Sequence, residues 1–195
     1  FGSRFPRGNG QLGRARMGEV VLAASSNDQG IYATDLNTGA LVATFEDSAA
    51  EPHVFGPIGR NASHIFAVQS KRALWSAWAW GERKPCYRAS LPERTTAMTF
   101  SSGGGFCFAG AASGALYAWQ TSTGCLLRCW PAHFREVTQL VLSEDESYLV
   151  SSSADASVHV YSLADVFAEQ TPRPLHSWSG HSVSVTCVAL LPGRG

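Results

Sequence analysis

The chain has 195 residues with 15 basic and 15 acidic side chains, and 45% of its residues are hydrophobic and 11% aromatic. A charged fraction of only 15% excludes a long disordered chain, and the length predicts one ordinary domain with a sizeable core. No stretch approaches the roughly 18 apolar residues of a membrane span, and five cysteines without a C-x-x-C pair indicate neither a disulfide framework nor a zinc knuckle. These features predict a protein without membrane association whose cysteines stay reduced, as in the nucleus or cytosol.

The segment 1–16 differs in composition from the rest of the chain. It contains four arginines, four glycines and no acidic residue, which predicts a disordered basic leader. The first methionine is Met17, directly before the strand-like run Val20 to Ala24, so we expect that the leader is not native sequence. The remaining chain has more acidic than basic residues and is therefore mildly acidic.

From Met17 onward, short β-type runs are separated by Gly, Ser, Asn and Asp, without a convincing helical period. Four of these runs align without gaps, and each has small residues, a turn and then an alternating strand. The aligned strands end in Thr34, Trp78, Trp119 and Tyr161, which follow one another at nearly equal intervals. The sequence therefore predicts an all-β protein built from repeats of about 42 residues.

Other landmarks keep the same phase. The turns Asn37-Thr38-Gly39 and Ser122-Thr123-Gly124 are separated by two periods, and Trp130-Pro-Ala-His133 and Trp178-Ser-Gly-His181 end two successive repeats. With an aromatic residue at the end of the third strand, this pattern resembles the WD-repeat (WD40) β-propellers.

The resemblance implies a partial propeller over residues 17–192, with about four blades and the first strand of a fifth. The blades are expected at about 17–50, 51–93, 94–133 and 134–181, and the next is expected to start at 182, with Val183 to Leu190 as its first strand. Propellers of this family usually have seven blades. We therefore expect the chain to be a fragment of a seven-bladed ring.

His133, Asp155 and the serines at 151–153 include the residue types of a Ser-His-Asp hydrolase triad. The sequence has no Gly-x-Ser-x-Gly elbow, however, and these residues keep the phase of the repeat. In WD repeats such residues form a buried structural hydrogen-bond relay, which the resemblance implies here for Asp155, His133, Ser151 or Ser153, and Tyr161. We expect no catalytic, cofactor-binding or metal-binding residue.

Blade four carries a surplus of residues, because its two Trp-x-x-His landmarks are further apart than one period of the repeat. The surplus lies between its third and fourth strands, where Leu163 to Glu169 is predicted to form two helical turns before Thr171-Pro-Arg-Pro174. An insertion there would stand at the rim of a propeller and offer a partner-binding surface. The candidate contact residues are Ala164, Asp165, Val166, Phe167, Pro172 and Pro174.

Two further groups are better explained by packing than by chemistry. Cys125 and Cys129, on one face of one strand, are predicted to be buried small apolar residues and not metal ligands. Three tryptophans, Trp75, Trp78 and Trp80, are predicted to share one strand face and would suit an aromatic cage or a base-stacking platform. Since Trp78 lies in the aromatic column of the repeat, blade core is the favoured interpretation.

Several segments also resemble one branch of the WD-repeat proteins, the WD-repeat subunits of the rixosome. They are Met17-Gly-Glu-Val-Val21, Ser76-Ala-Trp78 followed by Arg83-Lys84, His133-Phe-Arg-Glu-Val137, and Tyr161-Ser-Leu163 with the proline-rich return to Trp178. The rixosome is the nuclear complex that acts in large-subunit pre-ribosomal RNA processing. The resemblance implies a non-catalytic scaffold in the nucleolus or nucleoplasm, which assembles on pre-large-subunit ribosomal particles and has links to pre-replicative complexes.

The partners implied by this resemblance are an armadillo-like protein and a second helical-repeat protein. Because the body of the chain is mildly acidic, we expect no tight direct binding of nucleic acid. The alternative is a WD-repeat substrate adaptor of a ubiquitin ligase or a chromatin-reader module. A basic channel for phosphorylated peptides, or an acidic one for arginine peptides, would distinguish that alternative.

Overall fold

A computed structural model describes residues 19–24, 30–48, 54–59, 61–69 and 73–191. Within these ranges the chain forms fifteen strands and one short helix. The described residues up to Ser90 and those from Leu91 onward form two compact units, and each unit contains two antiparallel sheets. The predicted leader at 1–16 lies outside the described residues, and no helix among those described is long and apolar enough to cross a membrane.

The first unit contains blades one and two. Blade one has the strands β1 (Val20–Ala24), β2 (Gly30–Asp35) and β3 (Leu41–Glu46) in sequential order. Blade two has four sequential strands: β4 (Phe55–Ile58), β5 (His64–Gln69), β6 (Leu74–Ala79) and β7 (Tyr87–Ser90). In turns that the structure describes, Asp and Thr side chains bond to the nearby backbone and glycines accept positive φ.

The turn between β2 and β3 illustrates this local chemistry. The Asp35 carboxylate accepts hydrogen bonds from the backbone N–H groups of Asn37 (3.0 Å) and Thr38 (2.8 Å). Gly39 follows with φ +68°, the left-handed conformation that glycine adopts without a steric penalty. The chain thereby reverses within a few residues and places β3 beside β2.

The core of the first unit lies between its two sheets. It is formed by apolar side chains that are at most 1% exposed, namely Ile31, Ala33, Phe45, Ile65, Ala67 and Trp78. Ile31 and Ala33 alternate on one face of β2, as the period of two in a strand requires. The indole of Trp78 meets Phe45 edge-on at 6.5 Å and donates a hydrogen bond from Nε1 to the carbonyl of Glu46 (3.0 Å). This aromatic residue therefore joins blade two to the last strand of blade one.

The second unit contains blades three and four. Blade three has the strands β8 (Thr95–Phe100), β9 (Phe106–Ala111), β10 (Ala115–Gln120) and β11 (Cys125–Pro131). Blade four has β12 (Val137–Leu142), β13 (Tyr148–Ser153), β14 (Val158–Ser162) and β15 (His176–Trp178), with helix α1 (Leu163–Ala168) between its last two strands. The predicted helical turns in the blade-four insertion are confirmed.

Aromatic and aliphatic side chains fill the interface between these two sheets. Blade three contributes Phe108, Leu116, Ala118 and Trp130, while blade four contributes Val137, Leu140, Leu149 and Tyr161. The rings of Trp130 and Tyr161 meet edge-on, with their centroids 5.6 Å apart. All of these side chains are buried, so each blade depends on its neighbour to cover one face.

The expected first strand of a fifth blade is absent from the described residues, which is a correction to the sequence analysis. Residues 179–191 contain no strand, but they lie beside β12: Val185 N–H donates to the Ser153 carbonyl (3.1 Å), and its own carbonyl accepts from Thr138 Oγ1 (2.6 Å). Thr96, one repeat earlier, donates in the same way to the Val137 carbonyl (2.5 Å). The segment thus occupies the place of a next blade, but no second strand among the described residues pairs with it to form a ladder.

The all-β class is confirmed for the part of the chain that the structure describes. Its four antiparallel sheets are blades of a partial propeller, and each sheet is built from strands that are consecutive in the sequence. The loops and turns at the ends of these strands carry the polar side chains of the candidate site.

Candidate functional site

The predicted relay lies at one end of blade four, where two loops of the second unit meet. His133 belongs to the loop between β11 and β12, while Asp155 and Ser157 belong to the turn between β13 and β14. Ser151 lies in β13, on a stretch of three serines that are all fully buried. The antiparallel pairing of β12 and β13 brings the loop and the turn to the same end of the sheet.

The His133 ring makes hydrogen bonds through both of its nitrogens. Nδ1 lies 3.2 Å from Asp155 Oδ2 and 2.9 Å from Ser157 Oγ, and Nε2 lies 2.8 Å from Ser151 Oγ. An ionised carboxylate can only accept, so the proton is assigned to Nδ1. Nε2 then accepts a hydrogen bond from the Ser151 hydroxyl.

Asp155 is held by several donors at once. Its carboxylate accepts from the backbone N–H of Phe134 (2.9 Å), the backbone N–H of Ser157 (3.0 Å) and the Ser157 hydroxyl (2.5 Å). Partial burial acts to raise the pKa of Asp155, but the hydrogen bonds from Ser157 and Phe134 outweigh it and lower the pKa to about 2. The carboxylate is therefore an anion that fastens the loop to the turn.

The His133 imidazole is neutral near neutral pH. Burial, with a smaller contribution from His159, lowers the pKa of His133 to about 4, against the opposing effect of Asp155. The His159 ring stacks on the His133 ring with 4.3 Å between centroids and 11° between planes. Burial also lowers the pKa of His159. The relay therefore contains a neutral His133 imidazole stacked on the imidazole of His159.

The other two predicted relay residues do not contact His133. The Ser153 hydroxyl lies within hydrogen-bond distance of the carbonyls of Arg135 (3.1 Å) and Glu136 (2.9 Å) and accepts from Asp155 N–H (3.1 Å). The Tyr161 hydroxyl lies 3.2 Å from Nδ1 of His159, and burial raises the pKa of Tyr161 to about 12. Of the two candidate serines, Ser151 is therefore the one at the imidazole.

The sequence analysis missed Ser157 and His159. Polar residues at the same end of blade three could have indicated that this end of each blade is polar. In blade three, Glu93 Oε1 accepts from the hydroxyls of Ser113 (2.8 Å) and Tyr117 (2.7 Å). Counted along the repeat, Ser113 and Tyr117 precede Asp155 and His159 by one period. Blade three therefore ties its loop to its turn with a different set of polar groups.

The arrangement suits a structural role better than hydrolysis. The Ser151 hydroxyl is fully buried and donates a hydrogen bond to the His133 imidazole. Because the pKa of this imidazole is about 4, it would be a weak general base. A substrate has no access to this serine, since the side chains of both Ser151 and His133 are covered. Positions Asp28 and Arg72, which correspond to Asp155 in the first two blades, lie outside the described residues.

The blade-four insertion packs against blade three. The hydroxyl of Ser162 caps α1 by accepting from Asp165 N–H (3.4 Å), and Val166 is fully buried in the interface core. The Phe167 ring lies 5.0 Å from the ring of Phe106. Arg128 of β11 donates to the carbonyls of Phe167 and Glu169 at the end of the helix.

This packing limits which insertion residues can face a partner. Val166 and Pro172 are buried, and Asp165, Phe167 and Pro174 are only partly exposed. Ala164 is the exposed member of the predicted contact set. Five of the six predicted contact residues are therefore at least partly covered, and the insertion packs against the edge of blade three as well as its own blade.

The cysteines and tryptophans also require corrections. Cys125 and Cys129 are exposed on β11 because this outer strand has one face at the surface. Trp75 packs against Tyr87 at 4.9 Å, on the strand face opposite to Trp78. The described part of the chain contains no group of three or more His, Cys, Asp or Glu side chains that could hold a metal ion.

Comparisons with known proteins agree with this architecture. The family described as WD domain, G-beta repeat matches residues 124–162, the stretch from β11 to β14 that contains the relay. Protein ROOT INITIATION DEFECTIVE 3 of Arabidopsis thaliana is 33% identical over 178 residues, which are 88% of this chain and 41% of that protein.

Two further relatives have names that state a process. Pre-rRNA-processing protein pro-1 of Caenorhabditis elegans is 25% identical over 181 residues, covering 89% of this chain and 34% of that protein. Pre-rRNA-processing protein IPI3 of Mycosarcoma maydis is 27% identical over 191 residues, which cover 91% of this chain and 32% of that protein. The chain spans between about a third and two fifths of the length of these relatives. Residues 124–162 of the chain therefore form a WD repeat, and the chain resembles WD-repeat and pre-rRNA-processing proteins over most of its length.

Proposed function

We propose that the protein is a non-catalytic WD-repeat scaffold of a nuclear complex that processes large-subunit pre-ribosomal RNA. The observation that carries the proposal is the similarity, over about nine tenths of the chain, to relatives named as pre-rRNA-processing proteins. The partners would be proteins of a rixosome-like complex bound to pre-large-subunit ribosomal particles.

The chemistry of the chain supports a scaffold more than an enzyme. The one Ser-His-Asp set in the described residues is buried and holds two loops together. From Met17 onward the chain has an excess of acidic residues, which disfavours tight binding to RNA phosphates. Association with a ribosomal precursor would therefore proceed through proteins, for which the loops and rims of blades offer broad surfaces.

Affinity purification of the complete tagged protein from nuclear extract tests the proposal. We expect large-subunit precursor proteins and large-subunit pre-rRNA in the eluate, and we expect the direct protein partners to remain after ribonuclease treatment. Depletion of the protein should cause large-subunit pre-rRNA intermediates to accumulate, while small-subunit intermediates serve as the control. Recovery of ubiquitin-ligase subunits or histones without ribosomal precursors would favour the adaptor or chromatin-reader alternative.

A further inference from the structure

Phe134, in the loop after β11, stands almost entirely in solvent. Its relative exposure of 97% exceeds that of every other large hydrophobic residue among those described, for which the next values are 88% at Leu191 and 72% at Val183. Its neighbours Arg135 and Glu136 are exposed as well. Single exposed apolar side chains are common on protein surfaces and do not by themselves indicate a binding site. The question is therefore whether the backbone of the loop holds Phe134 in a fixed place.

The backbone of this loop is bound at every residue from His133 to Glu136. His133 N–H donates to the Gly114 carbonyl (3.0 Å), and Phe134 N–H donates to Asp155 Oδ2 (2.9 Å). The carbonyls of Arg135 and Glu136 are within hydrogen-bond distance of the Ser153 hydroxyl, and that of Glu136 also accepts from a backbone N–H (3.0 Å).

Close packing restricts the loop further. Gly114 has φ +91°, and a Cβ atom at this position would lie 2.2 Å from the His133 carbonyl oxygen. The loop therefore rests directly on the backbone of the neighbouring turn, and it holds the Phe134 side chain outward from a preorganised support.

The repeat does not require an aromatic residue at the position of Phe134. Counted by one period of the repeat, the position of Phe134 corresponds to Pro92 in blade three, and in the segment after blade four it corresponds to Ser182. Pro92 and Ser182 are both exposed, and neither is aromatic. The two equivalent positions thus lack the aromatic side chain that blade four has at Phe134.

We infer that Phe134 is the anchor by which this blade binds a protein partner, inserting into an apolar pocket whose rim carries charges complementary to Arg135 and Glu136. A preorganised aromatic side chain with two rotatable bonds loses little entropy on binding, which is typical of residues that dominate the affinity of an interface. The inference rests on the proposed function, since it names the surface through which the scaffold would hold its partner.

A protein pocket fits this surface better than an RNA base does. The charged residues of this loop are Arg135 and Glu136, and the loop is hydrogen-bonded to the ionised Asp155, so these three groups carry a net charge of −1. A net negative charge repels the phosphate groups of RNA, whereas the stacking platforms that bind RNA bases are surrounded by basic residues. The mixed charges instead match the polar rim that surrounds an apolar anchor in protein interfaces.

The test compares variants of the complete tagged protein in the purification described above. Phe134→Ala should lower the amount of large-subunit precursor recovered per bait by about tenfold or more, as expected for truncation of an anchor residue. Phe134→Trp should stay within about threefold of the wild type because it keeps a large aromatic side chain. Tyr148→Ala is the matched control, since Tyr148 is also exposed (44%) but lies at the opposite end of β13. Thermal melting should be unchanged for Phe134→Ala.

A photo-crosslinking amino acid at position 134 identifies the occupant. The expected product joins the protein to one partner protein of the precursor particle, and it should disappear when that partner is depleted. Crosslinks to RNA, crosslinks only to a second copy of the protein, or full recovery of precursors with Phe134→Ala would each overturn the inference. If the wild-type protein recovers no ribosomal precursor, the proposed function fails, and this inference fails with it.

Discussion

Lowering the pH should destabilise blade four, because it protonates His133. The side chain is fully buried in the folded protein, where its pKa is about 4, whereas an unfolded histidine has a pKa of about 6.5. Protonation therefore favours the unfolded state. The contribution of neutral His133 to stability is complete above about pH 6.5 and is lost progressively as the pH falls towards 4.

The size of the effect follows from these two pKa values. Between pH 7 and pH 5, the free energy of unfolding should fall by about 2 kcal/mol because of His133 alone. Asp155 adds nothing in this window, because its pKa is lowered to about 2 and its carboxylate stays ionised in both states. His159, whose pKa is also lowered by burial, acts in the same direction as His133.

Urea unfolding of the complete protein at pH 7 and pH 5 measures this loss. His133→Gln keeps a hydrogen-bond donor for Asp155 but cannot be protonated. Between pH 7 and pH 5, the free energy of unfolding of this variant should therefore fall by about 2 kcal/mol less than that of the wild type. His176→Gln removes an exposed histidine of β15 and serves as the control. An identical pH dependence in wild type and His133→Gln would show that the imidazole is not held neutral by burial.

Three further substitutions test the same region by urea unfolding. Asp155→Ala should lower the free energy of unfolding by about 1–3 kcal/mol because it removes the acceptor of four hydrogen bonds, whereas Asp145→Ala, in an exposed turn, should lower it less; equal losses would contradict the relay. Gly114→Ala should cost more than about 3 kcal/mol, since the added Cβ would lie 2.2 Å from a carbonyl oxygen, while Gly39→Ala has open space and should cost about 1 kcal/mol for its positive φ alone. Val166→Ala should cost about 2 kcal/mol by leaving a cavity under α1, and an unchanged stability would mean that the insertion is not part of the core.

The strands and their grouping into blades could be predicted because their signals are local. Alternating apolar residues and turn chemistry define each strand, so the sequence predicts β1 at Val20–Ala24 and helical turns at Leu163 to Glu169, where the structure has them. The phase of the repeat likewise predicts His133 and Asp155 as neighbours in space, with Ser151 or Ser153 as the serine of the relay, and the structure places Ser151 at the imidazole.

The errors concern which face of a short element is covered, and that depends on distant parts of the chain. Val166 is buried because Phe108 and other side chains of blade three, far earlier in the sequence, pack in the same core. Cys125 was predicted to be buried as a small apolar residue of a strand, yet its outer strand β11 has an exposed face. The stacking of His159 on His133 depends on the pairing of whole strands, which composition alone does not reveal.

The threonine contacts between successive blades have a consequence for how such a chain can diverge. Thr96 and Thr138 occur one repeat apart, and each donates to a main-chain carbonyl of the following segment, at Val137 and Val185. Every residue type supplies a carbonyl, so substitutions in the following blade leave this acceptor in place. Substitutions can therefore alter the loops of blades three and four, which use a glutamate and a histidine respectively, while the acceptor of this contact between successive segments is retained.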